Sequence, residues 1–258
     1  MLLVLNIGNT NSAGAIFDAE TIVTTHVQST TDLPYHSAMQ EFTQTTLRNG
    51  GIKRDKITGC IISSVVPAHT SLWTGFLRDT FGSPPTIISA KMPTGIRIDY
   101  DDPSTLGSDR LCACVAGFVL YGGPGIIIDF GTATTFNLID AAGNFLGGAI
   151  APGIITAARS LHRNTAQLPE ISFTPPSHFP GKSTRECLEA GIFYSGLDSA
   201  RGMIARSKVV IGSATTVVAT GGLSETLKQH IPEIDFADPN LVLRGAVILY
   251  NRSRQVMG

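Results

Sequence analysis

Apolar positions along the chain fall into short runs broken by small polar turns. The first run, Leu2 to Ile7, is followed by Gly8-Asn9-Thr10-Asn11-Ser12 and then by Ala13 to Phe17. Runs of this length with glycine and asparagine between them predict a β-hairpin. The pattern returns midway, where Gly125 to Phe130 leads into Gly131-Thr132-Ala133-Thr134-Thr135 and Phe136 to Ile139 comes back. Aligned on Gly8 and Gly131, the two segments set Asn6 against Asp129, Asn11 against Thr134 and Ser12 against Thr135. Such an internal repeat predicts a chain of two similar halves, each opening strand-turn-strand, with a ligand held between their turns.

Between the repeats, Ser37 to Asn49 has a helical pattern that ends at Gly50-Gly51, and Ile57 to Val66 reads as a β-rich run ending at Pro67. A helix is expected over Leu111 to Tyr121, opened by Gly107-Ser108-Asp109-Arg110. Beyond the second repeat, Pro152 to Leu168 reads as helix, Thr174 to Lys182 as a loop rich in Pro and Ser, and Ser183 opens a long helix to about Lys208. Val217 to Ala219 is a strand running into Thr220-Gly221-Gly222. Strand and helix signals alternate, so the class is α/β. The boundary between the halves is expected between Ala113 and Gly123, giving a first lobe of 1–115 and a second of 116–258.

With 43% hydrophobic and 15% charged residues and a net charge of −1, the chain has the composition of a folded protein rather than a disordered one. That balance argues against a general nucleic-acid binder and for a small-molecule partner. Cys60, Cys112, Cys114 and Cys187 show no C-x-x-C spacing and no histidine framework, so they read as reduced thiols rather than zinc ligands. No basic leader precedes Leu2, and no apolar run approaches the roughly 20 residues of a membrane helix. A cytoplasmic location is the expectation.

Short loops of Gly, Thr, Asn and Ser present backbone N–H groups and hydroxyls to a phosphate without steric obstruction. One such loop is more simply an ordinary hairpin turn; two matched loops, each after a buried strand, favour phosphate binding. Neither G-x-x-x-x-G-K-[ST] nor G-x-G-x-x-G after a strand is present, so a Walker or Rossmann site is not supported. Asp129 ends the apolar run Ile126 to Ile128, where it can hold a cation or brace its own turn. Asp109 and Arg110, at a helix start, read as a base and an anion clamp, or as a first-turn acid and a surface charge. Ser183 fits a capping box with Glu186, leaving Thr184 for a substrate carboxylate at the positive end of the helix. Gly221 and Gly222 suit either close approach of a nucleoside or tight packing.

Taken in order, Asn6 to Asn11, Ser63 to Pro67, Gly107 to Arg110, Asp129 to Thr135, Gly147 to Gly153 and Thr220 to Gly222 match a family pattern. The chain resembles the type III pantothenate kinases almost end to end. The resemblance implies a duplicated ribonuclease H-like (actin-like ATPase) fold, two lobes with a nucleotide cleft between them, and a homodimer. It implies transfer of the γ-phosphoryl group of ATP to the primary hydroxyl of pantothenate, the first step of coenzyme A synthesis, with Mg2+ or another divalent cation and with K+ or NH4+. Carried over by position, Asp109 is the base. Tyr100, Gly107, Ser108, Arg110 and Thr184 line the pantothenate site. Asn6, Ile7, Gly8, Asn9, Thr10, Asn11, Ser12, Ala13 and Thr132 meet ATP, and Asp129 holds the monovalent cation.

Three positions depart from the family pattern. Asn6 stands where the family has aspartate, so this weak divalent-metal candidate keeps the shape but lacks the charge a hard cation prefers. Ser108 replaces alanine, with little effect expected from the added hydroxyl, and Asn164 stands where arginine is usual. Two functions follow: an active kinase slowed by Asn6, or a silent relative that binds the same ligands. Retention of Asp109, Arg110, Asp129 and Thr184 favours the first.

Overall fold

In the computed structural model, which describes residues 1–257, the chain divides into two compact units. The first is Met1–Val119 with the segment from Asn240 on, and the second is Leu120–Pro239. The second unit thus ends before the C-terminus, where the sequence reading had assigned all of 116–258 to the second lobe.

The first unit is built on a five-stranded sheet of β1 (Leu2–Ile7), β2 (Asn11–Asp18), β3 (Thr21–Ser29), β4 (Gly59–Ser64) and β5 (Thr86–Ile87), in the order β3-β2-β1-β4-β5. β1 is central, antiparallel to β2 and parallel to β4. It is buried at every position but Asn6, as a strand covered on both faces must be. Helix α1 (His36–Asn49) follows β3 in the chain, α2 (Pro67–Phe81) follows β4 and α3 (Ser108–Tyr121) follows β5. Phe42 and Trp73 from the first two join Leu3, Leu5 and Ile16 in the core. Pro67 does not merely end a β-rich run; it stands at the first turn of α2, where its missing N–H costs nothing.

The second unit repeats this plan with β6 (Gly125–Phe130), β7 (Ala133–Ile139), β8 (Phe145–Pro152), β9 (Thr216–Thr220) and β10 (Phe236–Ala237), ordered β10-β9-β6-β7-β8. β6 is antiparallel to β7 and parallel to β9, as β1 is to β2 and β4. α4 (Ile154–Arg163) and α5 (Thr184–Ile211) lie between β8 and β9 in the chain and α6 (Ser224–Lys228) between β9 and β10, with Phe130, Phe136, Phe193 and Leu197 in the core. Two sheets of one topology confirm the internal duplication. α4 is shorter than the 152–168 expected, because Pro152 is the last residue of β8, paired with Ala133, and the chain leaves the helix at Asn164.

Helix α7 (Leu241–Met257) returns to the first unit, where it packs against β1 and β4. An added Cβ at Gly245 would lie 2.0 Å from the Cys112 carbonyl oxygen, so α7 meets α3 at a glycine that no other residue replaces without movement. Among the described residues no helix is long and apolar enough to cross a membrane.

Candidate active site

In the first unit the glycine turn is tight. Ile7 pairs with Ser12, and Gly8 N donates to Asn11 O at 3.0 Å. Thr30 lies against this turn. Its N–H donates to Thr10 O at 2.8 Å, and its hydroxyl donates to Gly8 O at 2.7 Å and lies 2.9 Å from Ser12 Oγ. Ser12, expected among the nucleotide contacts, is buried and engaged with Thr30. Asn6 is half-buried at the end of β1, paired with Ala13 on one side and Ser63 on the other.

In the second unit, Phe130 pairs with Thr134 and Gly131 N donates to Ala133 O at 3.1 Å. This turn is one residue shorter than the first. The residues equivalent to Asn11 and Ser12 are therefore Ala133 and Thr134, not Thr134 and Thr135 as an ungapped alignment gives. Burial agrees, since Ser12 and Thr134 are both buried. Thr132 is exposed, and its carbonyl accepts from Gly153 N at 3.1 Å and from Thr156 Oγ1 at 2.7 Å. The Pro152-Gly153 end of the Gly-rich segment 147–153 is thereby explained: it closes β8 beneath the second turn.

Asp109 is the second residue of α3, half-buried, with Oδ1 accepting from Arg110 N at 2.7 Å. Burial pushes its carboxyl above the ordinary carboxylate range, and the Arg110 N–H and charge pull against this without cancelling it. The Arg110 guanidinium stands 6.0 Å from the centre of the Tyr100 ring, so two of the expected substrate residues are neighbours. Ser108 is buried, and its hydroxyl donates to Ser64 O at 3.0 Å, leaving its oxygen to accept from Ser63 Oγ at 3.1 Å. The hydroxyl expected to matter little thus fastens the Asp109 end of α3 to the end of β4. Gly107 and Ser108 also line a pocket of about 840 Å3 with Ser64, Thr70, Lys91 and Asp102.

Asp129 is the penultimate residue of β6, paired with Thr220 of β9. Its Oδ1 lies 2.4 Å from where a Cβ on Gly221 would be, and Gly221 has φ +86°. Glycine is required there for both reasons, whereas a Cβ on Gly222 would meet nothing within 4 Å. Thr184 is exposed in the first turn of α5, after Ser183, whose Oγ accepts from Glu186 N at 3.3 Å. The Glu186 carboxylate accepts from Lys182 N at 2.7 Å, one residue earlier than a standard capping box. Burial pushes the Cys60 and Cys114 thiols up to about 12, so both stay protonated.

A model of the type III pantothenate kinase family matches residues 2–206. The chain belongs to the type III pantothenate kinase family. It is 37% identical over 258 residues to a type III pantothenate kinase of Moorella thermoacetica, covering 98% of this chain and 100% of that one. It is 37% identical to the Listeria monocytogenes one, with 98% of each covered. Among solved structures it is similar to the activator of 2-hydroxyisocaproyl-CoA dehydratase from Clostridium difficile with bound ADPNP (TM-score 0.60, 15% identity, 99% of this chain and 96% of that one). It is also similar to the ethanolamine utilization protein EutJ from Carboxydothermus hydrogenoformans (TM-score 0.55, 11% identity, covering 96% and 89%). The chain is a kinase with the duplicated actin-like ATPase fold.

Among the described residues no three His, Cys, Asp or Glu side chains gather as a metal cage. Beside Asp129, the buried Thr220 Oγ1 has no hydrogen-bond partner. A carboxylate with an orphaned hydroxyl next to it fits an oxygen-coordinated monovalent cation. Thr30 and Thr156 escaped the sequence reading because isolated threonines carry no spacing signal; only the fold brings them to the turns.

Proposed function

We propose that the protein phosphorylates pantothenate with ATP, yielding 4′-phosphopantothenate and ADP. The observation that carries this reading is the half-buried Asp109, its carboxyl held above the ordinary range, beside Arg110 stacked toward Tyr100. The substrate hydroxyl oxygen attacks the γ-phosphorus, the bond to the ADP oxygen breaks, and the hydroxyl proton passes to the Asp109 carboxylate. A carboxylate raised by burial is a stronger proton acceptor than one in water. Arg110 supplies the charge complement for the pantothenate carboxylate, with Tyr100, Gly107 and Thr184 completing that site. Ser108 serves by anchoring α3.

Asn6 to Asn11, Ala13 and Thr132 would receive the nucleotide, with Ser12 turned to Thr30 beneath them. A divalent cation would neutralise phosphate charge, with Asn6 a weak candidate to orient its waters. K+ or NH4+ would be held by Asp129, with Thr220 at hand. A neutral amide at position 6 slows this enzyme relative to an aspartate. A homodimer and a cytoplasmic location complete the proposal; the buried thiols of Cys60, Cys112 and Cys114 suit a reducing compartment.

The test is pantothenate-dependent ADP release by the wild type and by Asp109→Asn. Turnover that falls by about 10²–10⁴-fold in the variant, with nucleotide binding kept, is the expected outcome. Near-normal turnover removes Asp109 as the base. Ligand binding without turnover in the wild type would mean the silent relative.

A further inference from the structure

Both glycine turns are held by the residue that follows the third strand of their own sheet. In the first unit Asn11 pairs with Ser29, and the next residue, Thr30, donates its N–H to Thr10 O. In the second unit Ala133 pairs with Pro152, and the next residue, Gly153, donates to Thr132 O. Thr30 and Gly153 are thus equivalent positions of the duplication. A hydroxyl adds a second tie to each turn: Thr30 Oγ1 on Gly8 O and Thr156 Oγ1 on Thr132 O, both at 2.7 Å.

Thr30 makes one contact more. Its single hydroxyl proton is spent on Gly8 O, so its oxygen accepts from Ser12 Oγ, and a chain Ser12–Thr30–Gly8 runs beneath the turn. The side chain is 3% exposed, out of reach of a ligand in solution. The Gly8–Asn9 peptide is trans, and a trans peptide sends its C=O and N–H to opposite sides. Holding Gly8 O on Thr30 therefore turns the Asn9 N–H away from Thr30, to the far side of the turn.

We propose that Thr30 is a positioning residue for nucleotide phosphate: its hydroxyl sets the Gly8–Asn9 peptide so that the Asn9 N–H faces the anion. Ser12 acts with it as part of this brace rather than as a ligand contact. The proposal rests on assigning the Gly8 turn to the nucleotide.

The experiment is calorimetric titration of the full chain with MgATP, paired with KM for ATP and for pantothenate, for wild type, Thr30→Val, Thr30→Ser and Ser12→Ala. Valine keeps the shape and the N–H but leaves Gly8 O and Ser12 Oγ without their partner. The dissociation constant for MgATP should rise roughly tenfold, the scale of one lost buried hydrogen bond with its partner stranded. KM for pantothenate should stay within about twofold, serine should restore nucleotide affinity, and Ser12→Ala should fall between. Should Thr30→Val not fold, Ser12→Ala against Thr30→Ser decides the matter.

Unchanged MgATP affinity in Thr30→Val, an equal rise in both KM values, or failure of serine to restore binding would overturn the proposal. Wild type that binds MgATP but does not phosphorylate pantothenate would sink the kinase reading while the isotherms still judge Thr30. Wild type that binds no nucleotide would sink both.

Discussion

At Asp109, burial and the Arg110 charge act in opposite directions on one carboxyl, and burial prevails. Two pH effects follow. The base must be ionised, so turnover should fail as pH drops through a value above the ordinary 3.8 of an aspartate; an acid limb at or below it would contradict the burial argument. For stability, the folded chain still holds this proton over a window in which the unfolded chain has lost it. Stability therefore falls as pH rises through that window and stays lower above it. Asp109→Asn removes the penalty, so its Tm should exceed that of wild type at neutral pH, by ~2–4 °C per kcal/mol relieved, and converge on it below the ordinary aspartate value. Asn6→Asp should raise kcat/KM at fixed Mg2+ by roughly tenfold, about 1.4 kcal/mol of transition-state stabilisation; no gain would show a site adapted to the amide. The placement of Asp109 and Arg110 at the start of a helix and of Asp129 near the end of a buried strand was legible, because each sits in a marked sequence context. The bond from Ser108 to Ser64 O was not legible, because the burial of a hydroxyl is a property of the fold.

Both hairpins and the central strands β1 and β6 were legible as apolar runs between glycine turns, and so was the duplication. The one-residue difference between the turns was not, because an ungapped alignment on Gly8 and Gly131 has no way to register that Ile7 closes on Ser12 but Phe130 on Thr134. The edge strands β3 and β8 also escaped. β3 alternates exposed and half-buried residues rich in threonine, and β8 carries Gly147 and Gly148 at its middle, so neither shows a strong apolar signal. The late glycine pair can be told apart at this scale. Gly221→Ala meets both a left-handed φ and the Asp129 carboxylate, and should cost ~1–3 kcal/mol and weaken activation by K+. Gly222→Ala should leave both nearly unchanged. Thermal melts and K+ titrations of the two variants make the comparison; equal behaviour would remove the close-approach argument.

Over the whole molecule, the sequence suggested one division, whereas the chain passes from the first unit to the second and returns. The returning helix α7 carries an apolar face of Leu241, Leu243, Ala246 and Leu249, all buried, but nothing in its residues says which unit it covers. Gly245 does so in the structure, by admitting α7 against Cys112 of α3, the helix that bears Asp109. Gly245→Ala should lower Tm by several degrees and reduce turnover together, since relief of the clash moves α3; a melt at the wild-type temperature would show that α7 yields instead. Each unit carries one glycine turn, and the proposed base lies on α3 of the first unit while the proposed cation residue lies on β6 of the second. The most direct measurement is the identity and amount of product when purified protein is given ATP, Mg2+, K+ and pantothenate. 4′-Phosphopantothenate should form in equal amount with ADP, and more slowly when Na+ replaces K+. ADP without phosphopantothenate, or no product despite bound nucleotide, would contradict it.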